Sequence, residues 1–261
     1  MRADKNQGFT LVELLVVIGI LGILSAALFP AISNAVMQAN MTAVGTRGRD
    51  IYVAIVGANT EREPLGLGSV WPKTKAPAGA AAGGGETDIG DMAFGTAEAY
   101  FEYLYDGKRV GQTDWSPYVA GFDYGKLSGA GVSSQPGGTT TLDKQYVMWT
   151  IGANIRDEME DVIPILLTRN VNAAQLASKY EGKSATKVDL GKEFSAPFSN
   201  KGFVMIRKGG AIFKARDKYA NLRVIYQGQQ FDLNPSSSGG SSDLDPIKYL
   251  KPGGVETPSG S

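Results

Sequence analysis

Three groups of charged side chains could do chemistry. The first is one carboxylate, Glu13, at the edge of an apolar run in Gly8-Phe9-Thr10-Leu11-Val12-Glu13. A carboxylate beside apolar surface calls for a cation, because a lone charge in a low-dielectric medium is costly. The second is Asp232, Asp243 and Asp245, which flank the stretch SSSGGSS at residues 236–242. Hard carboxylate oxygens in such a loop could hold a structural calcium ion, or simply be solvated. The third is Arg207, Lys208, Lys214, Arg216, Lys218 and Arg223, with Asp217 the one acid among them. That set reads either as a patch for phosphate or another anionic ligand, or as the charged face and edge of a sheet.

What is missing bounds the rest. The 261 residues contain no Cys and no His. Thiolate nucleophiles, disulfides and Cys- or His-based metal sites are therefore excluded, and so are Ser-His-Asp and Cys-His catalysis. A catalyst would need paired carboxylates or a Lys base, and no convincing pair is present, so no enzyme is expected. Lys plus Arg and Asp plus Glu balance at 26 each. With no basic excess and few interleaved aromatics, nucleic acid is not expected as a partner.

Those residues must be positioned by the elements around them. No Asp, Glu, Lys or Arg occurs from Leu14 to Thr46. Residues 14–32 nearly supply the roughly 20 apolar residues of a membrane span. The leader MRADKNQG carries Arg2 and Lys5 against Asp4, which keeps residues 1–8 on the cytoplasmic side and exports the remainder of the chain. Three readings fit. A signal peptide could be cut near Ser25-Ala26-Ala27. A plain anchor would leave Glu13 without a role, or snorkelling to the interface. A processed assembly helix would give the carboxylate a partner.

The third reading has a family behind it. Gly8-Phe9-Thr10-Leu11-Val12-Glu13 and the apolar stretch after it resemble the N-terminus of type IV pilins and type II secretion pseudopilins. Gly19, Gly22 and Pro30 also fall where that family commonly has glycines and a proline. The resemblance implies that a prepilin peptidase cuts between Gly8 and Phe9 and N-methylates Phe9. It further implies a filament of pilin-like subunits, an inner-membrane assembly platform, and a single-pass precursor with its head in the periplasm of a bacterium. Cutting there creates an ammonium on Phe9, which Glu13 of a neighbouring helix could neutralise. Such a pair would set register more than add stability, since desolvation offsets much of the attraction.

Pro30 removes a backbone donor and crowds the carbonyl of Ala26, and Gly19 and Gly22 lower helix propensity before it. That stretch is where bending or melting on packing is expected, unless the residues are merely tolerated in a membrane helix. Beyond it, Val36, Ala39, Ala43, Ile51 and Ile55 recur at helical spacing. A helix over 9–58 is expected, stopped at Gly57-Ala58-Asn59, its outer half forming the spine of a head.

The head is expected over 59–235. Residues 97–105 read as a helix capped by Thr96, with its aromatics in the core. Residues 145–151 and the ILL run after Pro164 read as strands, and 172–180 as a short helix capped by Asn172. GFVMIR, KGG and AIFKA read as a hairpin over 202–215, and LRVIY at 222–226 as a third strand. Residues 76–85, 128–141 and 236–242 are Gly/Ser/Ala-rich loops, and 236–261 a loop and loose tail. Trp71, Trp115 and Trp149 are anchors, and Arg156 to Asp161 the solvated, charged face of a helix. The fold class is therefore α+β: a long N-terminal membrane-spanning helix packed on an antiparallel sheet, as the resemblance also implies.

The family offers two functions. One is a subunit of a type II secretion pseudopilus. The other is a type IV pilus subunit for surface adhesion or DNA uptake. Many surface pilins share a C-terminal disulfide loop, so the lack of Cys leans toward secretion. The 253 residues left after an eight-residue leader are long for a common major subunit. Of 26 charges of each sign, removing Arg2, Lys5 and Asp4 leaves 24 basic and 25 acidic, which does not favour DNA.

Overall fold

A computed structural model describes residues 9–75, 88–105, 144, 147–233 and 245–259, without the side chains of Asp91 and Tyr105. The chain divides into two compact units, Met1–Thr42 and Ala43–Ser261. One helix, α1 (Leu11–Arg62), contributes to both. It passes through Pro30 without a break. It also runs beyond the stop expected at Gly57-Ala58-Asn59, into a 3₁₀ turn at Glu63–Leu65 that ends on Gly66 at φ 67°. Asn59 serves the returning loop instead: its Oδ1 accepts from the Val70 N–H at 2.8 Å.

In the second unit α1 buries Val44, Gly45, Gly48, Ile51, Ile55 and Ala58, a stripe at three- and four-residue steps. The expected stripe was out of phase at its start, since Val36, Ala39 and Ala43 are exposed. Gly45 and Gly48, residues that weaken a helix interior, lie on its packed face. A Cβ on Gly48 would sit 2.6 Å from the Trp149 ring, and one on Gly45 2.8 Å from Ile212 Cγ2. The helix backbone approaches the sheet closely because nothing projects there.

Six strands form the main sheet: β1 (Trp149–Ala153), β2 (Pro164–Thr168), β4 (Gly202–Arg207), β5 (Ile212–Arg216), β7 (Lys248–Lys251) and β8 (Gly254–Glu256). They pair antiparallel throughout, in the order β5-β4-β2-β1-β7-β8. Register places Ile151 opposite Leu166 and Leu250, and Leu166 opposite Ile206, on the face that receives α1. Leu167, Met205, Phe203 and Tyr249 alternate to the other face, into a second core built from residues 159–249. Central strands buried on both sides read as near-continuous apolar runs for this reason. α2 (Ala97–Tyr105) packs on β1 and β7. Its N-terminus is capped as expected, with Thr96 Oγ1 accepting from Ala99 N–H at 3.3 Å, and Tyr100 and Phe101 are fully buried.

Several expectations are corrected. LRVIY is not a strand: Leu222–Ile225 is a short helix, α3, whose cap is Asn221, with Oδ1 accepting from Val224 N–H at 3.0 Å. Residues 172–180 hold only a 3₁₀ turn, Ala173–Gln175, followed by β3 (Lys179–Tyr180), which pairs with β6 (Phe231–Asp232). Asn172 does cap that turn, accepting from Ala174 N–H at 3.2 Å. The tail is not loose, because β7 and β8 close one edge of the sheet around a turn at Pro252-Gly253, Gly253 having φ 83°. The head therefore extends at least to Ser259, whose N–H donates to Ala174 O at 2.8 Å. The Arg156–Asp161 run lies on turns between β1 and β2, not on a helix. The stretches 76–85, 128–141 and 236–242, with Trp115, lie outside the described residues.

Candidate functional site

The site begins with how the sequence starts a helix. Thr10-Leu11-Val12-Glu13 is a Thr-x-x-Glu pair, which can satisfy the free N–H groups of a first turn reciprocally. Glu13 Oε2 accepts from Thr10 N–H at 2.9 Å and from Thr10 Oγ1–H at 2.8 Å. Thr10 Oγ1 in turn accepts from Glu13 N–H at 3.3 Å. This capping box was not recognised in the sequence, although its signature is there to be read. It occupies one oxygen of Glu13, and Oε1 has no partner among the described residues. The carboxylate is thus fixed in place by its own helix, with one acceptor oxygen to spare.

Every residue from Phe9 to Val36 is exposed. Between Phe9 and Ile32 these include fifteen large apolar side chains. Leaving each in water forgoes about 1.5–3 kcal/mol, tens of kcal/mol together. That exceeds the roughly 5–15 kcal/mol by which a whole domain is stable, so the surface must be covered by lipid or by other helices. An 18-residue window of this helix reaches a mean hydropathy of 2.6, and the helix is long and apolar enough to cross a membrane. Nothing lies within 4 Å of a Cβ built on Gly19 or Gly22, so both offer open backbone to a neighbour.

The prokaryotic N-terminal methylation motif matches residues 4–29, the same stretch that holds the capping box and the uncovered apolar surface. The N-terminus is thus similar to that of type IV pilin-like proteins. Over 39 residues the chain is 56% identical to the prepilin peptidase-dependent protein D of Escherichia coli (strain K12). That alignment covers 15% of this chain and 27% of the relative's length. No solved structure matches the chain.

The six cations expected to form a patch do not share one surface. Arg207 turns into the second core, 6% exposed, with its guanidinium donating to Ile225 O at 2.9 Å and lying 4.8 Å from the Phe213 ring centroid. Its Nε lacks a hydrogen-bond partner, and burial pulls its pKa down. Lys208 donates to Asp157 O at 2.9 Å, while its own carbonyl accepts from Tyr52 O–H at 3.0 Å. Both are therefore committed to holding the fold. Lys214, Lys218 and Arg223 are exposed and Arg216 is half-buried.

Among the three acids, Asp232 pairs with Lys179 at 3.7 Å, and Asp245 offers its carbonyl to Arg156 at 3.2 Å. Asp243 lies outside the described residues. Among the described residues, no group of three or more His, Cys, Asp or Glu is placed to hold a metal ion.

Sequence reasoning also missed Asn170, 2% exposed, whose amide donates to Ser199 O at 2.7 Å and Gly202 O at 2.8 Å. A lone Asn beside an apolar strand carries no local signal of that role. A clasp at the C-terminus was missed as well. Glu256 accepts from Lys251 at 2.8 Å and from Ala174 N–H at 3.0 Å, and Lys251 also meets Glu193 at 2.6 Å.

Proposed function

We propose that this chain is a structural subunit of a type II secretion pseudopilus, assembled through its N-terminal helix after prepilin peptidase has removed residues 1–8. The observation that carries this reading is the methylation motif lying on a helix whose apolar surface is exposed among the described residues. In the precursor the helix sits in the inner membrane with the head on the periplasmic side, as the leader charges favour. Cleavage after Gly8 leaves an ammonium on Phe9. The spare Oε1 of Glu13 then accepts from the Phe9 ammonium of a neighbouring subunit, while Oε2 keeps the capping bonds to Thr10. An inner-membrane platform supplies the subunits, and the chain's part is mechanical rather than catalytic. The same segment would serve a surface pilus; loss of protein export on deletion, against loss of surface fibres, separates the two systems.

The N-terminal mass of protein from native membranes tests the reading. A chain beginning at methylated Phe9 is expected. One beginning at Leu28 would mean an ordinary secreted protein, and one beginning at Met1 a plain anchor. In the same preparation, processed Glu13→Ala protein is expected to remain unassembled. Normal polymerisation of that variant in the same lattice removes the role given to Glu13.

A further inference from the structure

A groove of about 500 Å³ opens in the second unit between the end of α1 and the turns between β1 and β2. Tyr52, Val56, Leu67 and Trp71 give it an apolar and aromatic wall, and Glu63 and Asp157 line its rim. Val56 and Leu67 are 37% and 45% exposed, and nothing approaches a Cβ on neighbouring Gly57. Asp161 stands beside it, 81% exposed, close to Gly209 and near enough to Tyr52 to help burial raise that phenol's pKa. Lys208 also lines the groove, but it is tied to Asp157 O and lies 3.7 Å from Asp161, and Arg49 of α1 opposes Asp161 at Tyr52. The rim is therefore acidic around an open groove that polar groups, Asn59, Thr60 and Ser69 among them, line along with the apolar wall.

The opposite end of the same hairpin carries the opposite charge. The turn of β4–β5 adjoins Tyr52, since Gly210 would place a Cβ 2.7 Å from that ring. The ladder runs from there through five pairs, Ile206–Ile212 to Gly202–Arg216. At about 3.3 Å per residue its far end lies some 13 Å beyond the first pair. There stand Lys201, Arg216 and Lys218, and the acid among them, Asp217, is bonded to Lys187. α1 crosses the hairpin toward its turn: Gly45 meets Ile212 and Val204, Gly48 meets Ile206, and Tyr52 meets Gly210. Charge is thus separated along the helix axis, cationic where α1 enters this unit and acidic where it ends.

We propose that a second copy of this chain docks head to tail on this groove, placing Lys201, Arg216 and Lys218 of one copy against Glu63, Asp157 and Asp161 of the next. The proposal rests on the assembly reading above. A heterologous contact of this kind does not close on itself and so propagates lengthwise. Parallel helices in one filament would bring unlike ends together at each step. Complementary charge would favour that register and repel a reversed copy.

The test uses the full-length chain expressed with its assembly machinery. Reversing one end (Asp157→Lys with Asp161→Lys) or the other (Arg216→Glu with Lys218→Glu) is expected to cut filament yield about tenfold, with N-terminal processing unchanged. Combining all four is expected to restore most of the yield, which damage to the fold would not do. Because the chain has no Cys, Asp157→Cys with Lys218→Cys gives a clean background, and oxidation should produce a ladder of joined copies. Filaments at normal yield in both reversals, loss without rescue and without a ladder, or adducts of Asp157→Cys with a different polypeptide alone would each overturn the contact. A wild-type chain that forms no filament sinks the assembly reading itself.

Discussion

At the scale of single residues, identical amino acids act in opposite ways along α1. Gly48 and Gly57 differ only in what lies opposite them. A methyl group on Gly48 would meet Trp149 Cη2 at 2.6 Å and Ile206 Cγ1 at 3.0 Å, and neither is free to retreat in a fully buried layer. Overpacking of that kind costs about 1–3 kcal/mol, against a gain of about 1 kcal/mol in helix propensity. Gly57 faces open space and would collect only the gain. Gly48→Ala should therefore lower the denaturant midpoint, and Gly57→Ala should raise it; equal shifts would contradict the close approach. Sequence alone could show that both glycines weaken a helix. It could not show that one of them is a contact, because the partner, Trp149, lies a hundred residues away. Glu13 is the converse case. Its departure from an apolar pattern was plain and suggested a partner, yet the nearest partner, Thr10, was overlooked within the same motif.

Among the elements, those that matched expectation have local signals. The long apolar stretch of α1, the Thr96 cap of α2 and the Gly-Gly turn of β4–β5 each announce themselves within a few residues. Elements decided by distant packing did not. LRVIY has strand-forming residues, but the Asn221 cap and the burial of Leu222 and Ile225, three apart, make it one helical turn. The end of the chain was misread for a different reason. Residues 236–261 read as a loop and loose tail, although Pro252 followed by Gly253 is also a turn signal between two strands. That hairpin is held by Glu98, which accepts from Gly253 N–H at 3.0 Å, and by the Lys251, Glu193 and Glu256 cluster. The Glu256 side chain is 15% exposed and serves both Lys251 and the Ala174 N–H. Glu256→Ala is expected to cost about 1–3 kcal/mol. Denaturant unfolding should show that loss, and amide exchange should quicken at residues 248–259. Unchanged exchange there would mean that the clasp holds nothing.

For the molecule as a whole, the missing His shapes the response to pH. No side chain of the head has its ordinary pKa between about 5 and 8, so stability should be flat across that range. The alkaline side is different. Burial raises the pKa of Tyr226 and Tyr249. Burial pulls Lys251 down, but its bonds to Glu193 and Glu256 outweigh that and leave it raised. All three groups hold their protons more tightly folded than unfolded. The stability they add is complete below the unfolded values, near 10, and is lost as pH rises from there through the folded ones. Unfolding midpoints should fall above about pH 10, and Tyr249→Phe should flatten that fall; an alkaline limb unaltered in the variant would remove Tyr249 as its source. The bare backbone at Gly45 and Gly48 makes the outer half of α1 as much a part of the head as any strand. A soluble fragment made by trimming the greasy N-terminus must therefore keep the chain from Met41, itself fully buried, onward. Cutting later would strip the cover from Trp149 and Ile206 and turn a packed layer into an adhesive one.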